Sequence, residues 1–131
     1  MPPELDRAGR SPLHYAALEG EVERVAALIA EGADVRLADF AGFTPLHFAA
    51  QAQQDVIARV LLTAGAAADA KDRYGKTPLS VALFNVREGD GAVIRVLLAA
   101  GADPDVENDY GISPRKLAET VANYDLMRFF H

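Results

Sequence analysis

A Ser/Thr-Pro pair recurs along this chain at a fixed period. It begins at Ser11, Thr44 and Thr77, each 33 residues apart, and a fourth copy begins at Ser113 after 36 residues. A period of this length is typical of arrays in which each repeat packs on its neighbours. The spacing therefore predicts one domain over residues 1–131, built of four stacked repeats at approximately residues 6–38, 39–71, 72–107 and 108–131.

Each repeat predicts a turn followed by two short helices. The Ser/Thr hydroxyl can cap a helix whose first residue is proline, which has no N–H to leave unpaired. Apolar residues three or four apart predict the second helix, and Leu61 and Leu97 should be buried at equivalent positions of two repeats. Gly32, Gly65 and Gly101 follow those helices, where a positive φ is needed. Before each Ser/Thr-Pro pair, an acid or amide and a glycine predict a tight turn, as Asp6 and Gly9, Asp39 and Gly42, Asp72 and Gly75, and Asn108 and Gly111.

The Thr-Pro-Leu-His segment at Thr44, with this period, resembles the ankyrin repeat, and the resemblance extends over residues 6–131. It implies an all-α solenoid, an ankyrin repeat stack of helix-turn-helix units with projecting β-hairpin loops. It also implies that hairpin tips and first helices form a concave face that binds proteins.

Departures from the pattern predict local features. Arg24 stands where the next two repeats have Ile57 and Val93, which suits an uncovered first face. Arg115 and Lys116 replace Leu-His in the fourth repeat, and the chain ends inside its second helix, which we interpret as a polar cap on a complete array. Gln53 replaces a glycine between helices. Residues 85–91 hold three extra residues, which lengthen the inter-helix turn of the third repeat.

Composition narrows the class of partner. The net charge is −6, from 13 Lys and Arg against 19 Asp and Glu, which argues against nucleic acid. No cysteine is available for a disulfide or a thiolate metal site.

The first residues are not a secretory signal, and no apolar stretch is long enough for a membrane span. We expect a cytoplasmic protein, and the excess of Ala and of Arg over Lys is typical of GC-rich bacterial genes.

Histidines and carboxylates invite a catalytic or metal interpretation. The resemblance instead implies that His14 and His47 bond to loop backbone at the start of the first helices. Ser80 and Lys116 replace histidine in the other repeats, so no ligand set recurs. Asp6, Asp39 and Asp72 are better explained by bonds to turn backbone. We therefore predict no catalytic residue, no cofactor and no metal, and a protein that is not an enzyme.

The variable residues of the turns predict the binding site. Phe40 and Phe43 serve no purpose in a solvated turn, and aromatic residues and Arg are enriched in protein interfaces. Tyr74 and Tyr110 could instead cover the neighbouring turn. Outward residues of the first helices, among which we count Leu83, continue the surface. The predicted protein-binding residues are Arg7, Arg10, Phe40, Phe43, Arg73, Tyr74, Lys76, Tyr110, Ile112, Leu18, Gln51 and Phe84.

The function predicted from these features is binding of another protein by a chain that is a monomer when free. An immunity-type inhibitor or an accessory factor of an enzyme would suit a small acidic protein, by analogy of fold. The alternative is a structural protein whose aromatic face pairs with itself in a homodimer.

Overall fold

The computed structural model describes residues 5–86 and 91–120, which contain seven α-helices. The helices are α1 (Pro12–Glu19), α2 (Val22–Ala30), α3 (Pro45–Gln51), α4 (Asp55–Thr63), α5 (Pro78–Asn85), α6 (Ala92–Ala99) and α7 (Pro114–Thr120). Each of the first three odd-numbered helices packs on the helix that follows it. The odd-numbered helices also pack in one row, and α2, α4 and α6 pack in a second row. The prediction of an all-α solenoid is confirmed.

The odd-numbered helices begin where the Ser/Thr-Pro pairs predicted. Thr44 and Thr77 have extended backbones, and a proline occupies the first turn of the helix after each of them. The Thr44 hydroxyl oxygen accepts a hydrogen bond from the His47 N–H at 3.3 Å, and that of Thr77 accepts one from the Ser80 N–H at 3.4 Å. These bonds satisfy N–H groups that no helical carbonyl can reach.

The even-numbered helices end at glycines in the left-handed region. Gly32, Gly65 and Gly101 have φ values of 93°, 104° and 91°. After α2, the Ala33 N–H donates to the Leu28 carbonyl and the Gly32 N–H donates to the Ile29 carbonyl, both at 3.0 Å. This is the Schellman arrangement, and α4 and α6 end with the same pair of bonds.

The core lies between the two rows of helices. Leu13, Leu46 and Leu79 are buried at equivalent positions of the odd-numbered helices. Leu61 and Leu97 have no exposed surface, which confirms the predicted register of α4 and α6. Arg24 is exposed and lies 3.9 Å from a Glu21 carboxylate oxygen, whereas its equivalents Ile57 and Val93 are buried. The first repeat thus has an exposed polar residue where the next two repeats have a buried apolar one.

Gln53 adopts the conformation of the glycine that it replaces. Its φ is 58°, which makes it the one non-glycine residue with positive φ in the described part of the chain. The Gln53 amide nitrogen donates to the carbonyls of Ala50 and Ala82, each at 3.1 Å. Because Ala82 belongs to α5, this side chain links two neighbouring repeats.

The structure departs from the predicted architecture at Leu83 and leaves other parts of that prediction unconfirmed. The projecting loops contain turns and no β-strand within residues 5–86 and 91–120, so the β-hairpins are not confirmed. Leu83, which we placed on the outward surface, is 1% exposed because α5 packs against both α3 and α7. Residues 87–90, which are most of the segment that holds the three extra residues, and the predicted second helix of the fourth repeat lie outside the described residues. The fourth repeat stays a prediction.

Candidate functional site

Four tight turns, which we call the turn row, precede α1, α3, α5 and α7. They comprise residues 6–10, 39–43, 72–76 and 108–112. In the second turn one carboxylate oxygen of Asp39 accepts the N–H groups of Ala41 and Phe43 at 2.9 and 2.8 Å. Asp6, Asp72 and Asn108 make the same pair of bonds in their turns. These contacts confirm the predicted structural role of the three aspartates.

Backbone hydrogen bonds hold successive turns side by side. The Phe40 N–H donates to the Ala8 carbonyl, the Arg73 N–H to the Ala41 carbonyl, and the Asp109 N–H to the Tyr74 carbonyl, each at 2.8 Å. Equivalent side chains of neighbouring turns are therefore adjacent, and the turn row is a continuous surface.

Two imidazoles connect helices to the following turn. His14 Nδ1 accepts the Ser11 N–H at 3.0 Å, and its Nε2 lies 2.9 Å from the Phe43 carbonyl. His47 makes the equivalent contacts with Thr44 and with the Lys76 carbonyl. A carbonyl can only accept, so the bridging Nε2 carries the proton in both residues. Burial lowers the pKa of His14 and of His47 below the ordinary histidine value, which favours this neutral form. The predicted structural role of both histidines is confirmed.

The third repeat departs from this arrangement. Ser80 occupies the place of the histidine, and its short side chain cannot bridge to the next turn. The equivalent carbonyl, that of Ile112, accepts the Asn108 N–H at 3.0 Å. Within the described part of the chain, no side chain supplies a second donor to it.

A groove of about 430 Å³ opens at this position, between the turn row and the odd-numbered helices. Its lining is mainly apolar, and Lys76 is its one charged member among the residues that the structure describes. The lining residues are Phe43, Gln51, Lys76, Ser80, Val81, Phe84, Asn85, Asn108, Tyr110, Ile112 and Leu117. Six of the twelve predicted binding residues thus lie around one groove, although they come from three turns and from helices α3 and α5.

A family model for ankyrin repeats matches residues 13–108 in three copies. The chain belongs to the ankyrin-repeat family. A search of curated proteins gave no significant match. Ankyrin repeats are protein-protein interaction modules that typically have no catalytic activity, so the general class of function follows from the family. No helix among the described residues of this ankyrin-repeat protein is long and apolar enough to cross a bilayer.

The other six predicted residues lie along the turn row and α1, outside the groove. Arg7, Arg73 and Phe40 are exposed, and Tyr74 is 45% exposed. The Phe40 ring also covers Gly9 of the preceding turn, where an added Cβ would lie 2.8 Å from it. Arg10 is partly buried and pairs with the Asp39 carboxylate at 3.2 Å. Leu18 is partly buried on α1.

Phe43 does not point outward as the sequence pattern predicted. Its ring is partly buried and stacks on the His47 imidazole, with centroids 5.0 Å apart and planes inclined by 27°. The centroid of the same ring lies 5.2 Å from that of the Phe48 ring. Phe43 therefore packs against its own repeat as well as lining the groove, and we expect its truncation to lower folding stability.

Sequence reasoning missed five residues that line the groove. They are Ser80, Val81, Asn85, Asn108 and Leu117. The loss of histidine at Ser80 was a visible signal, because a short side chain at that position leaves room that an imidazole fills in the two preceding repeats. The other four gave no signal, since they resemble ordinary core or turn residues.

Proposed function

We propose that this ankyrin-repeat protein binds a partner protein through the groove and the adjoining turn row. The observation that carries the proposal is the convergence of Phe43, Lys76, Phe84, Tyr110 and Ile112 on one apolar groove. An apolar centre with a polar rim is the usual anatomy of a protein interface.

Two aromatic side chains at the groove are well placed as anchors. Phe84 is 76% exposed at the end of α5, and Tyr110 is 70% exposed in the fourth turn. Aromatic rings this exposed keep a large apolar area in contact with water until a partner covers them. Arg73 and Lys76 give the neighbouring turn a positive rim, although the whole chain is negative. The groove and rim therefore favour an apolar partner surface with acidic neighbours.

Truncating either aromatic anchor tests this proposal. Phe84→Ala and Tyr110→Ala should each weaken binding by about 2 kcal/mol or more, as hot-spot truncations do. The partner is first captured from the native host and purified, and affinities are then measured by titration calorimetry. Glu23→Ala is the matched control, because Glu23 is exposed on α2, away from the groove. An affinity that depends on Glu23 and not on the two aromatic residues would assign binding to the opposite face.

The biological role that we propose is that of a cytoplasmic immunity-type inhibitor, or an accessory factor, of an enzyme in a bacterial cell. The support is analogy with small ankyrin-repeat modules together with the acidic composition. Co-expression with the product of the adjacent gene separates the roles. Inhibition of that product supports the first role and activation supports the second, whereas the absence of a complex would contradict both for that product.

Self-association is the second candidate, because Phe40 is also 71% exposed and could pair with the groove of another copy. We propose a monomer for the free chain. Size-exclusion chromatography with light scattering at increasing concentration should give the mass of one chain. A mass of two chains that Phe40→Ala or Phe84→Ala returns to one would establish the homodimer instead.

A further inference from the structure

In the third repeat the short side chain of Ser80, which lines the groove, stands at the ring-sized place that an imidazole occupies in the two preceding repeats. In the two preceding repeats a neutral imidazole occupies this place and donates to the carbonyl of the next turn, at Phe43 and Lys76, each at 2.9 Å. Those two carbonyls also accept a backbone N–H from Asp39 and Asp72 at 2.8 and 2.9 Å, so both of their lone pairs are used.

The Ile112 carbonyl differs because it has only the backbone donor among the described residues, the Asn108 N–H. A carbonyl oxygen has two lone pairs, and one of them remains for a donor that enters the groove. Ile112 and Ser80 both line the groove, so a group that enters beside Ser80 comes next to Ile112. The missing group is a flat ring with one N–H donor.

The remaining lining decides which ring suits the place. Phe43, Val81, Tyr110 and Leu117 give the groove an apolar wall, and its volume of about 430 Å³ is larger than an imidazole requires. An indole has a large apolar ring and a single N–H that donates and does not accept. The chain contains no tryptophan, so a second copy of it cannot supply this group.

The charge of the groove lining indicates which residue lies next to that ring in the partner. Lys76 is the one charged side chain among the described residues of the groove lining, and its ammonium lies 5.9 Å from the centroid of the Tyr74 ring. Asp109 is in the fourth turn and does not belong to the lining. An acidic residue next to the indole would pair with Lys76.

We propose that the groove beside Ser80 is a receptor pocket for a tryptophan side chain of the partner protein, followed by an acidic residue that pairs with Lys76. The indole N–H donates to the Ile112 carbonyl, as the imidazole does in the earlier repeats. This inference rests on the proposed function and specifies the chemistry of the partner at that site.

Blocked dipeptides test the pocket without the partner. The full chain, labelled with ¹⁵N, is titrated with acetyl-Trp-Asp-amide, and the amide shifts of Ser80, Ile112 and Leu117 should move together and saturate. Acetyl-Phe-Asp-amide lacks the N–H donor and should bind about threefold to tenfold more weakly. Acetyl-Trp-Asn-amide lacks the negative charge of the aspartate and should bind at least about twofold more weakly. Equal affinities for all three dipeptides, or shifts confined to other residues, would overturn the assignment.

A substitution of Ser80 tests the pocket from the side of the protein. Ser80→His should restore the bridge to Ile112, raise the melting temperature by a few degrees and abolish dipeptide binding. Glu23→Ala, on α2 and outside the groove, should bind the Trp dipeptide as the parent does. A Ser80→His variant that gains no stability, or that binds the dipeptide undiminished, means that the ring-sized place does not exist.

The outcomes for the pocket and for the proposed function are separable. If the partner needs Phe84 and Tyr110 but no dipeptide binds, the tryptophan pocket is wrong and the docking surface stands. If the Trp dipeptide binds as described but the partner is insensitive to Phe84→Ala and Tyr110→Ala, the pocket exists and the proposed docking surface is wrong.

Discussion

His14 and His47 make the stability of this protein depend on pH. Both are buried, and burial is the main cause that lowers the pKa of each in the folded state. In the unfolded chain a histidine titrates near pH 6.5. Below that pH the unfolded state binds protons that the folded state does not. The contribution of the two histidines to the free energy of unfolding is therefore full above about pH 6.5 and decreases as the pH falls below that value.

The expected result is a lower free energy of unfolding at pH 5.5 than at pH 7.5. Each neutral imidazole contributes a slope of up to about 1.4 kcal/mol per pH unit. Urea denaturation across this range measures it. His47→Ala should lower stability at pH 7.5 by about 1–3 kcal/mol, because it leaves the Thr44 N–H without its acceptor, and should flatten the pH dependence. A slope unchanged in that variant would contradict this origin.

A related prediction separates stability from binding. His14→Ala should lower the melting temperature, because the imidazole bridges Ser11 and the Phe43 carbonyl. Partner affinity should be largely unchanged as long as the variant is folded, since His14 has no exposed surface for a partner to contact. Calorimetry with the partner and thermal denaturation provide the two measurements. Full stability together with lost activity would contradict the structural assignment and support a catalytic one.

Gln53 offers a second test at the residue scale. Its left-handed backbone costs about 1–2 kcal/mol, whereas its side chain makes two hydrogen bonds that offset this cost. Gln53→Ala keeps the strained backbone and loses both bonds, so it should be less stable than Gln53→Gly, which loses the bonds but relieves the strain. We expect a difference of about 1 kcal/mol in urea denaturation. Equal stabilities would mean that the backbone cost at this position is negligible.

At the scale of the helices, the even-numbered row depends on its buried leucines. Leu61 is fully buried in α4, which packs against both α2 and α6. Leu61→Ala should cost about 2–5 kcal/mol, the range for a buried leucine, and should lower the urea midpoint accordingly. Val56→Ala is the control on the same helix, because Val56 is 46% exposed and should cost less than about 0.5 kcal/mol. Similar midpoints for the two variants would show that the register of α4 is wrong.

At the scale of the whole molecule, the repeats should unfold together. No helix is longer than nine residues in the described part of the chain, which is below the length of about 12–15 at which isolated helices become stable in water. Hydrogen bonds between turns and the Gln53 link to Ala82 also cross from repeat to repeat. Far-ultraviolet circular dichroism and tyrosine fluorescence should therefore give one coincident urea transition. Separated transitions would indicate that some repeats are stable without their neighbours.

The sequence by itself determined the repeat, the starts of the odd-numbered helices and the buried leucines. Each of these depends on local chemistry that the period makes visible: a capping hydroxyl before proline, a glycine after a helix, and apolar residues at helical spacing. The roles of Asp39 and His47 were also predictable, since one accepts N–H groups of its own turn and the other occupies a recurring position.

Only the tertiary structure decided how the variable residues are shared between surface and core. The turn pattern placed Phe43 outside, but the His47 ring in its own repeat provides a surface on which it stacks. Leu83 and Phe84 are adjacent in sequence, yet packing against α3 and α7 buries the first and leaves the second exposed. The groove itself depends on the absence of an imidazole at position 80 and on residues from three turns and three helices, and contacts between distant segments cannot be read from a local pattern.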